Sequence, residues 1–228
     1  MDNKTEKSIK QTAFISLFLT IAWIVFMVIT MSQIRSSWTD SDYAEWASEP
    51  DIIYILNYIN VTLLTVFVIV LFALLCGYLS QKNKAAALTG IAFIPVYGTL
   101  NIVCYSIQIS VVPMIARDVL STSGDVMLAA RLIQAKSDSI VGFINGLAYA
   151  VLGIPSVIYG YMLIKSSKKV SGVLLLINGV LCIIGIIGYM TDNAVLSLGV
   201  MAGGAVFLIS LIFMILDFGN KKAVHDIS

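Results

Sequence analysis

Hydrophobic positions along this chain gather into six long uninterrupted runs, at 12–34, 52–79, 86–114, 140–164, 170–190 and 194–216. None of the six contains Asp, Glu, Lys, Arg or His. About 20 apolar residues in a helix cross the hydrocarbon of a bilayer, so each run predicts a membrane-spanning helix. Runs of this length lack the alternation of a lipid-facing barrel strand, and in hydrocarbon the remaining solution for backbone hydrogen bonding is the helix. The pattern therefore predicts an all-α, polytopic membrane protein: one bundle of six transmembrane helices across residues 1–228 with the lipid bilayer as its solvent. The second and third runs exceed the minimum length and are expected to tilt or to carry a turn beyond the hydrocarbon.

Composition agrees with that reading, since 59% hydrophobic and 12% charged residues leave too little polar surface for a water-soluble fold. Charge adds orientation. Ten of the fourteen basic residues lie in the N-terminal tail (Lys4, Lys7, Lys10), the second connection (Lys82, Lys84), the fourth (Lys165, Lys168, Lys169) and the C-terminal tail (Lys221, Lys222). The other four, Arg35, Arg117, Arg131 and Lys136, fall in the first and third connections. By the positive-inside rule both termini are cytoplasmic, and the connections 35–51 and 115–139 are external. The first run has a basic leader, yet it is too long for a signal peptide and no small-x-small site follows it, so it is read as a retained anchor.

The two external connections carry their own patterns. In 35–51, Trp38, Tyr43 and Trp46 recur near helical spacing among Asp40, Asp42, Glu45, Glu49 and Asp51, which predicts a short interfacial helix with an acidic face. Its carboxylates either simply face water or attract cations toward the mouth of the bundle. In 115–139, Ser123-Gly124-Asp125 reads as a helix start followed by an amphipathic stretch at 126–135. Its charges balance, so no anionic partner and no nucleic acid is expected.

Within the charge-free runs the uncharged polar residues stand out, because hydrocarbon penalises them. Tyr97, Asn101, Tyr105 and Gln108 are spaced by four, four and three residues, on one face of the third helix. Asn57 and Asn60 in the second run, Asn145 and Tyr149 in the fourth and Asn178 in the fifth complete the set. Asn57, Gln108 and Asn145 each fall about five residues from the external end, roughly 7–8 Å deep, with Asn60, Tyr105 and Tyr149 one turn further and Asn101 and Asn178 near the middle. These nine residues are the candidate ligand-binding positions: a polar pocket open to the outside and able to take a small neutral, lipid-like or cationic molecule. The alternative is that they bond helices to one another.

Glycines at 142, 146, 153 and 160 form a smooth ridge on the fourth helix, and Gly199-x-x-x-Gly203 repeats the small-residue spacing on the sixth. Gly142, Gly146, Gly199 and Gly203 serve either the bundle itself or a contact with a membrane-protein partner or a second copy. Pro95 and Pro155, at matched distances from the cytoplasmic ends, predict a bend in each of their helices.

Other chemistries are disfavoured. Ser106, Ser110 and Ser156 have no base within a span, the only histidine being His225 near the C-terminus. Cys76, Cys104 and Cys182 all lie inside spans without metal-site spacing. Enzymatic activity, cofactors and metals are therefore not expected, and an accessory subunit without a ligand of its own is the alternative function.

The stretch 101–117, with Tyr105, Gln108 and Pro113, resembles short six-span bacterial integral membrane proteins grouped as a domain of unknown function. That resemblance covers length, topology and this helix, and implies an inner-membrane location without implying a substrate.

Overall fold

The computed structural model describes residues 3–122 and 124–219, the side chain of Asn3 excepted. Ser123, Lys221, Lys222 and His225, which figured in the sequence reading, lie outside the described residues. Among those described, the chain forms only helices: α1 (Asn3–Gln33), α2 (Asp40–Ser48), α3 (Ile52–Ser80), α4 (Lys84–Ile91), α5 (Ile94–Thr122), α6 (Val126–Leu132), α7 (Ile140–Lys165), α8 (Lys169–Met190) and α9 (Ala194–Asp217). Six segments are long and apolar enough to cross a membrane, and they coincide with the six hydrophobic runs.

Polar residues at the run boundaries stop and start the helices. Asp51 accepts from the Tyr54 amide at 2.7 Å, Asn83 from Ala86 at 3.1 Å, and Ser139 from Gly142 at 3.0 Å. Asn193 accepts from both Val195 and Leu196 at 3.1 Å. Each satisfies amides that a helix start leaves free. The two tightest hairpins, α7–α8 and α8–α9, each turn through a non-glycine residue in the left-handed region, Ser167 (φ 67°) and Asp192 (φ 51°).

The spanning helices are neighbours in chain order around a closed ring: α1 on α3, α3 on α5, α5 on α7, α7 on α8, α8 on α9, and α9 back on α1. Helices α3 and α7 also meet across the ring. Leu71, Phe72, Leu75, Tyr159, Leu163 and Leu211 fill its centre toward one end, where the short turns 81–83 and 166–168 lie. At the opposite end the two long connections fold into α2 and α6, which pack on each other and on α5 as a cap.

The third run is where the fold departs from an unbroken helix. It divides at Ala92 and Phe93, leaving the short α4 ahead of α5. Pro95 accordingly occupies the second position of α5, where the absent amide has no helical partner to lose, so the expected mid-helix bend is instead a chain break. Pro155 does lie inside α7. Helix α4 is held by the bundle: Tyr159 donates its hydroxyl proton to the Ala87 carbonyl at 2.9 Å, and Gly90 lies so close that an added Cβ would stand 2.4 Å from the Tyr159 ring.

The glycine ridge closes inside the chain. A Cβ at Gly153 would stand 2.7 Å from the Gly179 carbonyl oxygen, one at Gly179 2.4 Å from that of Gly153, and one at Gly160 2.6 Å from the Leu176 amide. Gly146 faces the Tyr189 ring, Gly199 the Leu181 carbonyl and Gly203 the Cys182 sulfur, while Gly142 sits against its own cap residue Ser139. Of the four glycines considered for a partner, Gly146, Gly199 and Gly203 are thus buried by this chain's own residues while Gly142 is partly exposed, and backbone-to-backbone approach joins α7, α8 and α9.

That approach has a direct test. Gly179→Ala forces α7 and α8 apart at backbone atoms that cannot rotate away, so it is expected to destabilise by about 1–3 kcal/mol. The same change at Gly77, which has nothing within 4 Å of the added carbon, is expected to be neutral or stabilising. Thermal unfolding of the purified protein in one detergent, measured on both variants, checks the contrast.

Candidate functional site in the polar layer

The spacing along α5 turns Tyr97, Asn101, Tyr105 and Gln108 inward, and all four are buried, Asn101 and Gln108 with no exposed surface at all. The structure brings four of the nine candidate residues into one bonded group. Asn145 on α7 uses both amide protons, donating to Asn101 Oδ1 at 2.8 Å and to the Tyr105 hydroxyl at 2.9 Å. The Tyr105 and Tyr149 hydroxyls are hydrogen-bonded at 3.0 Å. The Tyr97 ring lies tilted against that of Tyr149, 6.1 Å centroid to centroid. Asn101 Nδ2, by contrast, is buried without a hydrogen bond of good geometry, although the Tyr97 hydroxyl stands beside it. An unpaired buried donor costs about 1–3 kcal/mol, and native structures rarely leave one without water or a ligand.

Gln108 forms a second group one to two turns nearer the cap. Its Oε1 accepts from the Tyr54 hydroxyl at 3.1 Å and from the Gln134 backbone amide at 3.0 Å, and its Nε2 donates to the Leu132 carbonyl at 2.9 Å. One carboxamide thereby joins α3, α5 and the end of α6. It also satisfies a carbonyl that the last turn of α6 leaves free. Trp46 of α2 packs edge-on to Tyr54 at 5.1 Å, and Tyr54 packs on Tyr58 at 4.8 Å. Both connections thus fold and dock over this end of the polar layer.

The remaining candidates go to helix seams. Asn60 donates to the Leu19 carbonyl of α1 at 2.9 Å, and Asn57 on the same helix has a buried, unpartnered Oδ1. Asn178 donates to the Gly203 carbonyl of α9 at 3.0 Å and to Cys182 Sγ at 3.6 Å, again with its Oδ1 unpartnered. Cys182 stands within electrostatic reach of the Tyr97 and Tyr149 hydroxyls. Tyr54 and Tyr58 escaped the sequence reading, although their four-residue spacing is a readable face. So did the stripe Thr12, Ser16 and Thr20, buried on α1 with the Ser16 hydroxyl unpartnered. No group of three or more His, Cys, Asp or Glu side chains able to hold a metal occurs among the described residues.

Charges appear only at the ends. Lys136, after α6, bonds Asp138 and reaches Asp40 at the start of α2 at 3.2 Å, while Arg131 lies 3.6 Å from Asp138. Partial burial alone would lower the Lys136 pKa, but the two carboxylates outweigh it and raise it; the Lys136 bond likewise holds Asp138 below the usual carboxylate value. Comparison of the chain with family models, curated proteins and solved structures gives no match.

This clip fixes the sign of a pH effect on the cap. A depressed Asp138 contributes stability above its unfolded pKa of about 3.9 and loses it as pH falls further; a raised Lys136 contributes below about 10.4 and loses it at higher pH. The gap in melting temperature between the parent and Lys136→Gln is expected to be flat from about pH 5 to 9 and to shrink on both sides. For a surface cluster its size is about 0.5–1 kcal/mol. Melting curves across pH in one detergent measure it.

Proposed function

We propose that the chain is a multi-pass protein of the cell (inner) membrane that binds, or passes, a small neutral, lipid-like or cationic molecule through the polar layer around Asn101. Both termini are assigned to the cytoplasm. In support, Lys4, Lys7, Lys10, Lys82, Lys84, Lys165, Lys168 and Lys169 collect at the α4 end, whereas Arg35, Arg117, Arg131 and Lys136 collect at the cap.

The observation that carries the reading is the unpartnered amide of Asn101 at the centre of a tyrosine-lined, charge-free interior. That donor suits a carbonyl or hydroxyl oxygen, and the free oxygens of Asn57 and Asn178 suit a hydroxyl or ammonium proton. No cation in the interior is available to balance a carboxylate or phosphate, which sets anions aside. The layer has a closure on each side, the Gln108-anchored cap and the Tyr159-anchored α4, and broken helices facing a polar interior are a recurrent feature of transporters. With no carboxylate, histidine, lysine or arginine in the spans, passage is passive or coupled to an ion held by neutral oxygens. Against the accessory-subunit alternative, Gly146, Gly199 and Gly203 are occupied by this chain's own helices.

The test is ligand-dependent thermal stabilisation across a panel of alcohols, amides, monoglycerides and amines. Compounds that raise the parent's melting temperature are expected to need at least about five-fold higher concentration in Asn101→Leu, the equivalent of one lost hydrogen bond of ~1 kcal/mol. Equal stabilisation of parent, Asn101→Leu and Gln108→Leu by every active compound would overturn the proposal.

A further inference from the structure

The cap carries a second recognition feature, separate from the polar layer. Between the start of α2 and the segment before it lies an open groove of about 230 Å³, lined by Trp38, Asp42, Glu45 and Trp46. The indoles lie 5.9 Å apart at 58°, forming two walls of a V. Their positions are fixed from behind. Trp46 donates its indole proton to Gln33 Oε1 at 3.0 Å, Gln33 in turn donates to Asp51 at 2.7 Å, and Trp38 packs edge-on to Tyr43 at 5.4 Å. Asp42 is held by the Thr39 amide and hydroxyl, both at 2.6 Å on the same carboxylate oxygen.

The chain's own cations do not fill this groove. Lys136 and Arg131 are bound to Asp40 and Asp138, Arg117 donates to the Pro113 carbonyl, and Arg35 forms no ion pair among the described residues. Two carboxylates that line one groove with two indoles, with no ion pair to either carboxylate among the described residues, select by chemistry. A strongly hydrated alkali ion gains little from an indole face, whereas a weakly hydrated substituted ammonium gains both the charge and the cation–π attraction. The volume suits a headgroup-sized cation and is below that of drug-sized pockets.

We propose that the groove formed by Trp38, Trp46, Asp42 and Glu45 is a binding site for substituted ammonium groups of the choline type, supplied by a free solute or by a lipid headgroup. The inference does not rest on the polar layer binding anything, and its test leaves that layer untouched.

The test follows tryptophan emission of the full chain in a non-ionic, choline-free detergent while choline chloride replaces sodium chloride at constant ionic strength. A saturable change is expected, half-complete on the order of 10 mM for so open a site. Glu45→Gln, exposed and without bonds to lose, is expected to raise that concentration about five-fold. Trp38→Leu is expected to remove the saturable change with Trp46 still reporting, and Trp38→Phe to restore part of it. Melting temperatures of the three variants within about 2 °C of the parent separate loss of the site from loss of the cap. Repetition in discs of phosphatidylglycerol and of phosphatidylcholine distinguishes the sources: the response suppressed only in phosphatidylcholine assigns the headgroup, and an equal response in both assigns the free solute. A change no larger than that given by an equal addition of sodium chloride, or one unaltered by Glu45→Gln and Trp38→Leu together, would overturn the proposal.

Discussion

A carboxamide placed in hydrocarbon has to find its partners within the protein, and the arrangement of this bundle follows from how each one does so. Gln108 is the fullest case. Three of its hydrogen-bonding positions are used, by a tyrosine from α3 and by two backbone groups at the end of α6. The cap is therefore tied to the bundle at a dry, low-dielectric point where a hydrogen bond is strong and its loss leaves three groups unpaired. The ion pairs at the cap's rim, by comparison, are solvent-exposed and contribute little.

The two halves of the ring are held by different forces. Helices α7, α8 and α9 approach through glycine until backbone meets backbone, which gives extensive dispersion contact and little freedom to slide. Helices α1, α3 and α5 are joined by larger side chains and single polar bonds such as Asn60 to Leu19, and α5 is preceded by a break. If the polar layer opens, the movement belongs to this second half and to the cap, with the glycine-packed hairpins as the fixed frame.

The spans were legible because charge-free runs of more than 20 residues admit few alternatives in a bilayer; the caps at Asp51, Asn83 and Asn193 that stop them went unread. The inward face of α5 was legible from helical periodicity alone. The break at Ala92 was not: Pro95 reads the same whether it bends a helix or begins one, and the choice was made by Tyr159 and Gly90, more than sixty residues apart in sequence and adjacent in space. Depth grouped Asn60 and Asn178 with the α5 residues, but depth says nothing about azimuth, and in the ring Asn60 turns toward α1 and Asn178 toward α9. The closing of the cap depended on backbone groups at Leu132 and Gln134, which carry no signature in the sequence.

The unpartnered atoms are better evidence about ligands than the bonded ones. Bonds between helices explain Asn60 and Gln108 completely, because each retains a structural role with nothing bound. Asn101 differs: its oxygen is held by Asn145, while its NH₂ group is fully buried without a hydrogen bond of good geometry. A leucine there would remove that penalty of about 1–3 kcal/mol but leave an Asn145 proton unpaired between α5 and α7, so helix adhesion accounts for the Asn101 oxygen and not for its NH₂ group. A hydrogen-bond acceptor that enters the layer removes the penalty, and its affinity includes the part of the folding free energy that the empty layer forfeits.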